Sequence, residues 1–294
     1  ICTVTPFFSI VIPSYNRAHF LHGALTDLTR QTFSDFEIIV VDDGSTDCSR
    51  DVVEDIKDSR IRYIFQENRE RGAARNLGLE LAQGQFVTFF DSDDSLMPRH
   101  LQSAFEFQRA YRPLAFHNRY EIVSGSSRIN KVPIPPNINR GLVKGNSLSC
   151  MGVFVDRSLM KIVKFREERL LAGLEDWDAW LRVAARAPIL ANPEVTGRLV
   201  QHIGRSVMRI NPETISERIS LFMQSIKSDE RCQTVYAKDF NRIEASLTSY
   251  MALHLAMNGG KRSQVSRLLQ QAVQLDRREI YRKRFFVILK FLAG

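Results

Sequence analysis

The strongest constraint on this chain is the rhythm of residues 7–90, where short apolar runs alternate with segments of helical period. Residues 7–12 are rich in Phe, Ile and Val and end at Pro13, and runs 36–41, 61–65 and 86–90 repeat the pattern. Continuous apolar runs of this length suit strands covered on both faces, as in parallel sheets. Between the first two runs, Phe20, Leu21, Ala24, Leu25 and Leu28 recur at the spacing of one helix face. Asp47 can cap a second helix that turns Val52, Val53 and Ile56 inward. The spacing predicts a third helix over 73–83, with Gly84 as its left-handed cap. A βαβαβαβ order implies an α/β fold: a Rossmann-like, mostly parallel sheet with helices on both faces.

Beyond Pro98 the pattern changes. A helix is expected to about Tyr111, a strand over 114–123, and a long loop or hairpin over 124–146, which holds Pro133, Pro135 and Pro136. A strand over 151–155 and a helix over 175–187, with Trp177, Trp180, Leu181 and Ala184 available for packing, complete the first part. From about Asn211 the chain reads as nearly all helix. The 294 residues therefore divide into a main domain, 1–210, and a C-terminal helical region, 211–294. The opening Ile-Cys-Thr, in place of Met, allows for residues having been removed before it. Cys2, Cys48, Cys150 and Cys232 form no CxxC pair and read as free thiols of a reducing, cytoplasmic compartment. No signal peptide is visible, and no apolar run reaches the roughly 18 residues that suggest a membrane span.

In an open parallel sheet, ligands bind at the carboxyl ends of the strands. Pro13-Ser14-Tyr15-Asn16-Arg17 follows the first strand, Asp42-Asp43-Gly44-Ser45-Thr46-Asp47 the second, and Asp91-Ser92-Asp93-Asp94 the fourth. Tyr15 can stack on a base, although a Tyr in this position more often only packs. Asp43 can accept from a base N–H, or the segment can be an ordinary turn. Carboxylates crowded at Asp91, Asp93 and Asp94 repel one another unless a cation neutralises them. All-oxygen ligands suit Mg²⁺ or Mn²⁺ completed by substrate phosphates. The plain alternative is a solvated turn. Arg75, near the start of the third helix, suits an anion or a surface position. His202 suits a metal, a phosphate or a structural role, and Arg198 and Arg205 can bind a leaving diphosphate. Asp176 is the candidate general base, with Glu175 orienting the acceptor, although carboxylates here can also simply cap a helix.

These segments, in this order, resemble family 2 glycosyltransferases of GT-A fold. The resemblance rests on residues 8–17, on Gln31-Thr32-Phe33 with 40–47, and on Ala73-Ala74-Arg75-Asn76-Leu77-Gly78. It continues through Phe90-Asp91-Ser92-Asp93-Asp94 and Glu175-Asp176-Trp177 with Trp180-Leu181-Arg182, covering roughly 7–206. It implies that Pro13, Tyr15, Asn16, Asp43, Arg75, Asp91, Ser92, Arg198 and Arg205 hold a nucleotide sugar, by resemblance a UDP-sugar. It implies a DxD motif in which Asp93 ligates Mn²⁺ or Mg²⁺ directly, Asp91 lies nearer the ribose, and His202 is a further candidate ligand. Asp176 then matches the base of inverting members. The processive polymerases of the family carry Gln-x-x-Arg-Trp and membrane helices. Here Gln201 leads into His202-Ile203-Gly204-Arg205 without a Trp, which argues for transfer of single sugars. The implied activity is metal-dependent, inverting transfer to an acceptor hydroxyl in cell-surface polysaccharide or glycolipid synthesis.

The net charge is +8, and residues 261–294 carry nine Lys or Arg against Asp276 and Glu279. No recognition motif accompanies that charge, which excludes nucleic acid as the expected partner. Arg277, Arg278, Arg282, Lys283 and Arg284 precede Phe285-Phe286-Val287-Ile288-Leu289. This suits either peripheral membrane contact or a helix packed on the protein. A dinucleotide-dependent dehydrogenase is excluded by the lack of GxGxxG after the first strand. Two other readings share the fold class: a sugar-nucleotide nucleotidyltransferase, and a catalytically inactive GT-A-like binding module. The first lacks its Gly-rich basic loop, and the second is opposed by the intact Asp91, Asp93 and Asp176.

Overall fold

The computed structural model describes residues 5–124, 128–131, 135, 137–202 and 211–293, with backbone alone at 128–131. Its strands are β1 (Phe8–Ser14), β2 (Phe36–Asp43), β3 (Ile61–Gln66), β4 (Phe86–Phe89), β5 (Ser95–Leu96), β6 (Ala115–Ser124), β7 (Arg128–Lys131), β8 (Val153–Asp156) and β9 (Ile189–Gln201). They form one sheet in the order β3-β2-β1-β4-β8-β6-β9-β5, with β7 paired to β6. The first four strands are mutually parallel, while β8 runs antiparallel to both β4 and β6. The helices are α1 (Ala18–Thr29), α2 (Ser49–Asp55), α3 (Glu70–Leu81), α4 (His100–Tyr111), α5 (Ile138–Leu142) and α6 (Arg157–Val163). They continue as α7 (Glu175–Ala184), α8 (Ile215–Ser228), α9 (Glu230–Tyr236), α10 (Phe240–Met257), α11 (Arg262–Leu275) and α12 (Lys283–Ala293).

The chain divides into two units. The first comprises Ile1–Ile138, Ser147–Arg169 and Arg186–Ile203 and carries the whole sheet. The second comprises Asn139–Asn146, Leu170–Ala185 and Gly204–Gly294, and its regular structure is helical.

Within the first unit, alternation along each strand sorts the core into two layers. Ile10, Ile12, Ile38 and Val40 bury against Leu21, Leu25 and Leu28 of α1 and Val53 of α2. Val11 points to the opposite face, where α3 approaches so closely that a Cβ on Gly78 would lie 2.3 Å from Val11 Cγ1. Helices therefore cover both faces of the parallel strands. In the second unit, Trp177 of α7 packs on Phe222 of α8 with ring centroids 5.1 Å apart. Asp178 accepts from Arg182 Nε at 2.8 Å and from Ser225 Oγ at 2.6 Å, which satisfies a fully buried carboxylate.

Several local expectations are corrected. The third helix starts at Glu70 and stops at Leu81, and Gly84 is no left-handed cap. Its lack of a side chain serves close packing, because a Cβ there would sit 2.6 Å from the backbone carbon of Phe8. Asp47 is not the N-cap of α2, a place held by Cys48. It bridges instead, accepting from Ala18 N at the start of α1 (3.0 Å) and from Ser49 N (3.0 Å). The stretch 124–146 contains a hairpin strand, β7, and a short helix, α5. Strand β9 was not anticipated. It pairs in parallel with β6 through two register shifts near Asn118 and Arg119, which blur its alternation. Cys48, Cys150 and Cys232 are free thiols, and Cys2 lies outside the described residues.

Candidate active site

The parallel register puts the carboxyl ends of the first strands side by side: Ser14 opposite Asp42, and Asp43 opposite Gln66. Asn16 takes a left-handed backbone (φ 51°), a conformation Asn tolerates. There its N–H donates to Ser45 Oγ and its Oδ1 accepts from Thr46 N, both at 2.8 Å. The loops after β1 and β2 are thus latched together, and the ring of Tyr15 is left half exposed. Gly44, at φ 86°, makes the turn that follows β2.

Two buried carboxylates lie under this latch. Asp42 accepts from Tyr63 Oη at 2.6 Å and Ser45 N at 2.8 Å. Burial and then the hydrogen bond to Asp42 push the Tyr63 phenol up, so it stays a donor. Asp43 Oδ1 accepts from Gln66 Nε2 at 2.5 Å and from Arg69 N at 2.9 Å, while Asn68 Nδ2 donates to the Asp43 carbonyl at 2.9 Å. Gln66 and Asn68 were missed from sequence. Their signal was the rule already applied to the other strands, since Gln66 ends β3 and Asn68 lies just beyond it. Ser14 Oγ is buried and, among the described residues, has no hydrogen-bond partner, so a polar ligand at this edge would find a ready one.

The acidic segment after β4 is sorted by its neighbours. Asp91 Oδ1 accepts from Arg75 Nη2 at 2.8 Å, and Arg75 is only 1% exposed, with its guanidinium 5.2 Å from the centre of the Phe165 ring. Arg75 is therefore not the surface side chain its position allowed. Ser92 is buried. Asp94 Oδ1 accepts from Val200 N at 3.2 Å, tying the loop to β9. Asp93 Oδ2 lies 3.0 Å from His202 Nε2, and the His202 ring rests 4.9 Å from that of Phe20. Of the expected trio, Asp93 and His202 are paired directly, while Asp91 is engaged by the buried Arg75. Among the described residues, no three His, Cys, Asp or Glu side chains gather in a metal-binding group. The pair itself fits a divalent ion that also carries phosphate. Two donors at right angles, each about 2.1 Å from an octahedral cation, stand about 3.0 Å apart.

Arg198, expected on the diphosphate, projects from β9 and donates to Glu121 Oε1 at 2.9 Å. Arg205 lies outside the described residues.

In the second unit, Glu175, Asp176 and Asp178 occupy the first turn of α7, where the helix dipole favours negative charge. Asp176 Oδ2 accepts from Asn146 Nδ2 at 2.8 Å and Oδ1 from Trp177 N at 2.7 Å. Trp177 Nε1 donates to the Leu142 carbonyl at 2.8 Å, which pins this turn to the segment Asn139–Asn146. Glu175 is buried and accepts from Gly173 N. Burial, and then the charge of Asp176, raises the Tyr250 phenol to about 12.

The family profile "Glycosyl transferase family 2" matches residues 9–157. The Escherichia coli UDP-Glc:alpha-D-GlcNAc-diphosphoundecaprenol beta-1,3-glucosyltransferase WfgD is 31% identical over 177 residues, which is 60% of this chain and 68% of that protein. Residues 1-349 of S. aureus TarS, crystallised with UDP-GlcNAc, match with a TM-score of 0.68 at 20% identity, over 94% of this chain and 92% of that one. The mannosyltransferase PcManGT from Pyrobaculum calidifontis, in complex with GDP-Man and Mn2+, matches with a TM-score of 0.57 at 17% identity, over 99% of this chain and 85% of that one. The structural matches show the GT-A fold. With half of its length under the family profile, this chain belongs to glycosyl transferase family 2 and is a glycosyltransferase.

Proposed function

We propose that the enzyme transfers a sugar from a nucleoside-diphosphate donor, a UDP-sugar, to a hydroxyl of a carbohydrate or lipid-linked acceptor, with inversion at the anomeric carbon. The product would serve cell-surface polysaccharide or glycolipid synthesis at the cytoplasmic side of a membrane. WfgD supports the acceptor class, since its name specifies a diphosphoundecaprenol acceptor, and TarS supports the donor class through its bound UDP-GlcNAc.

The observation that carries this reading is the Asp93–His202 pair at the sheet's carboxyl edge. These two residues would hold Mn²⁺ or Mg²⁺, as a manganese-bound relative of the same fold also suggests. Bound there, the cation supplies Lewis-acid neutralisation of charge on the departing diphosphate. Asp43, held by Gln66 and Arg69 N through Oδ1 and at 3.3 Å by Asn68 Nδ2 through Oδ2, would use the remaining acceptor capacity of Oδ2 for a base N–H. Tyr15 offers its exposed ring to the base. Arg75 holds Asp91, which orients that carboxylate for the ribose. Asp176 would take the acceptor proton, its carboxylate held by Asn146 and Trp177 N. A single base with no carboxylate nucleophile gives one displacement, and one displacement inverts.

The test is a panel of nucleotide sugars assayed for Mn²⁺-dependent thermal stabilisation, followed by the anomeric configuration of the product by NMR. A UDP-sugar that stabilises the protein only with Mn²⁺, and a product of opposite configuration, are expected. Failure of every nucleotide sugar to stabilise or react, with or without metal, would overturn the proposal.

A further inference from the structure

Helix α12 has two faces that disagree with a purely water-facing role. Ile288 is fully buried, and Arg284 fixes the helix by donating to Ser246 Oγ at 2.7 Å and to Glu279 Oε2 at 3.0 Å. Glu279 is itself buried and accepts from Ser249 Oγ at 2.7 Å, so the attachment to α10 is specific. The outer face is therefore fixed as well. It carries Phe286 at 55% exposure, Val287 at 51% and Leu289 at 41%, with Tyr281 at 79% just before the helix. A surface helix of a globular protein normally turns polar residues outward.

The polar residues that do share this face are cations. Lys283 and Lys290 are exposed, and their seven-residue spacing places them on one side of the helix with Phe286 and Val287. Arg277 and Arg278 are exposed in the turn that precedes it, Arg278 donating to Asp276 Oδ1 at 2.7 Å, and no Asp or Glu follows Glu279 in the sequence. The surroundings are cationic too. The Lys144 ammonium is held below its ordinary range by burial and then by Arg242, Arg282, Arg140 and Arg278. Apolar side chains rimmed by Lys and Arg match an anionic lipid surface, where rings and aliphatic chains enter the acyl boundary and cations stay among the headgroups. Among the described residues, no helix is long and apolar enough to cross a membrane, so the chemistry is that of lying on one.

We propose that the outer face of α12, with Tyr281, Phe286, Val287, Leu289, Lys283 and Lys290, is a docking surface for an anionic lipid bilayer. The surface would bring the enzyme to the plane in which a lipid-linked acceptor resides. The inference is independent of donor chemistry, since it uses none of the residues assigned to the sugar nucleotide.

Flotation of the full chain with vesicles of phosphatidylcholine alone, or with about 30 mol % phosphatidylglycerol, tests it. Binding to the anionic vesicles is expected, with at least about tenfold loss in the combined variant Phe286→Ser, Val287→Ser, Leu289→Ser. A comparable loss is expected in Lys283→Glu with Lys290→Glu, which alters only exposed charges and keeps the test open if the first variant misfolds. Thermal unfolding and Mn²⁺-dependent UDP-sugar stabilisation should be unchanged in both. If the wild type ignores anionic vesicles, or the variants float equally well, the proposal fails. It fails equally if the chain dimerises without lipid and the serine variant is monomeric, because a second copy then covers the face. Vesicle binding without any response to nucleotide sugars would sink the proposed donor chemistry and leave this surface standing.

Discussion

His202 Nε2 stands 3.0 Å from Asp93 Oδ2, across 109 residues of sequence. The end of β9 and the loop after β4 meet at this point, and Asp94 strengthens the junction by accepting from Val200 N. Replacing Asp93 with Ala should abolish Mn²⁺-dependent stabilisation by UDP and lower turnover at least about a hundredfold, as expected for losing several kcal/mol of charge neutralisation. His202→Ala should weaken apparent Mn²⁺ affinity by about 10- to 100-fold. Calorimetric titration of Mn²⁺ in the presence of UDP measures both. Unchanged metal affinity in both variants would remove the cation from this pair.

Gln66 supplies a second, quieter test. Its amide donates to Asp43 Oδ1 at 2.5 Å, while Oδ2 carries only the longer 3.3 Å bond from Asn68 Nδ2, so Gln66 helps to orient the Asp43 carboxylate. A hydrogen bond to a charged group is worth about 1.5–3 kcal/mol, so Gln66→Ala should weaken UDP binding about tenfold or more. With Asp43 on the base as proposed, the change lies away from the reacting carbon, so KM for the donor should rise while kcat moves little. A fall in kcat at constant KM would place Gln66 in some other role.

The contrast between these two sites shows what the sequence disclosed. Segments after β1, β2 and β4 were legible because parallel strands align their carboxyl ends, so a local reading of each strand end locates a shared edge. Gln66 and Asn68 lie at and just after the end of β3, whose residues are mostly half buried, so its edge position hid the same rule. The partner of Arg198 was not legible at all, because Glu121 lies 77 residues earlier and meets it only through the β6–β9 pairing. Likewise Arg75, near the start of its helix, suits either an anion or a surface position from sequence alone. Only tertiary packing shows that it is buried against Phe165 and spends its charge on Asp91.

Glycines give a stability prediction with opposite signs. At Gly84, a methyl group would meet the backbone carbon of Phe8 and the amide of Ser9, both at 2.6 Å. Strand β1 would have to shift, so Gly84→Ala should cost about 1–3 kcal/mol. Gly23, inside α1, has nothing within 4 Å of its added Cβ, and Gly23→Ala should stabilise by about 0.5–1 kcal/mol. Urea midpoints of the two variants against the wild type decide it, and equal shifts would contradict the packing described here.

Two of the three buried histidines, His100 and His117, weigh most in the response to acid, and burial pushes the third, His254, down as well. His100 is wholly buried, with Nε2 3.0 Å from the Met151 carbonyl and Nδ1 2.8 Å from Thr196 Oγ1. A carbonyl only accepts, so Nε2 carries the proton and Nδ1 accepts from Thr196. Burial pushes His100 down to about 4 despite those bonds. His117 accepts from Ser149 N through Nε2 and is pushed down to about 3 by burial, then by the nearby His100 and Arg119. The unfolded chain, with imidazoles near 6.5, binds protons that the folded chain refuses, so stability rises with pH across this window. The contribution of each histidine is fully present above about 6.5 and declines as the pH falls towards the folded value. Between pH 7 and 5 each histidine should therefore cost about 2 kcal/mol of stability. Unfolding free energies from urea titrations at pH 7, 6 and 5 measure the slope, and His117→Gln should reduce the fall between pH 7 and 5 by about 2 kcal/mol. A wild-type slope near zero over this range would mean that both imidazoles can be protonated in the folded protein, and that their surroundings are wetter than the packing around Met151 and Thr196 allows.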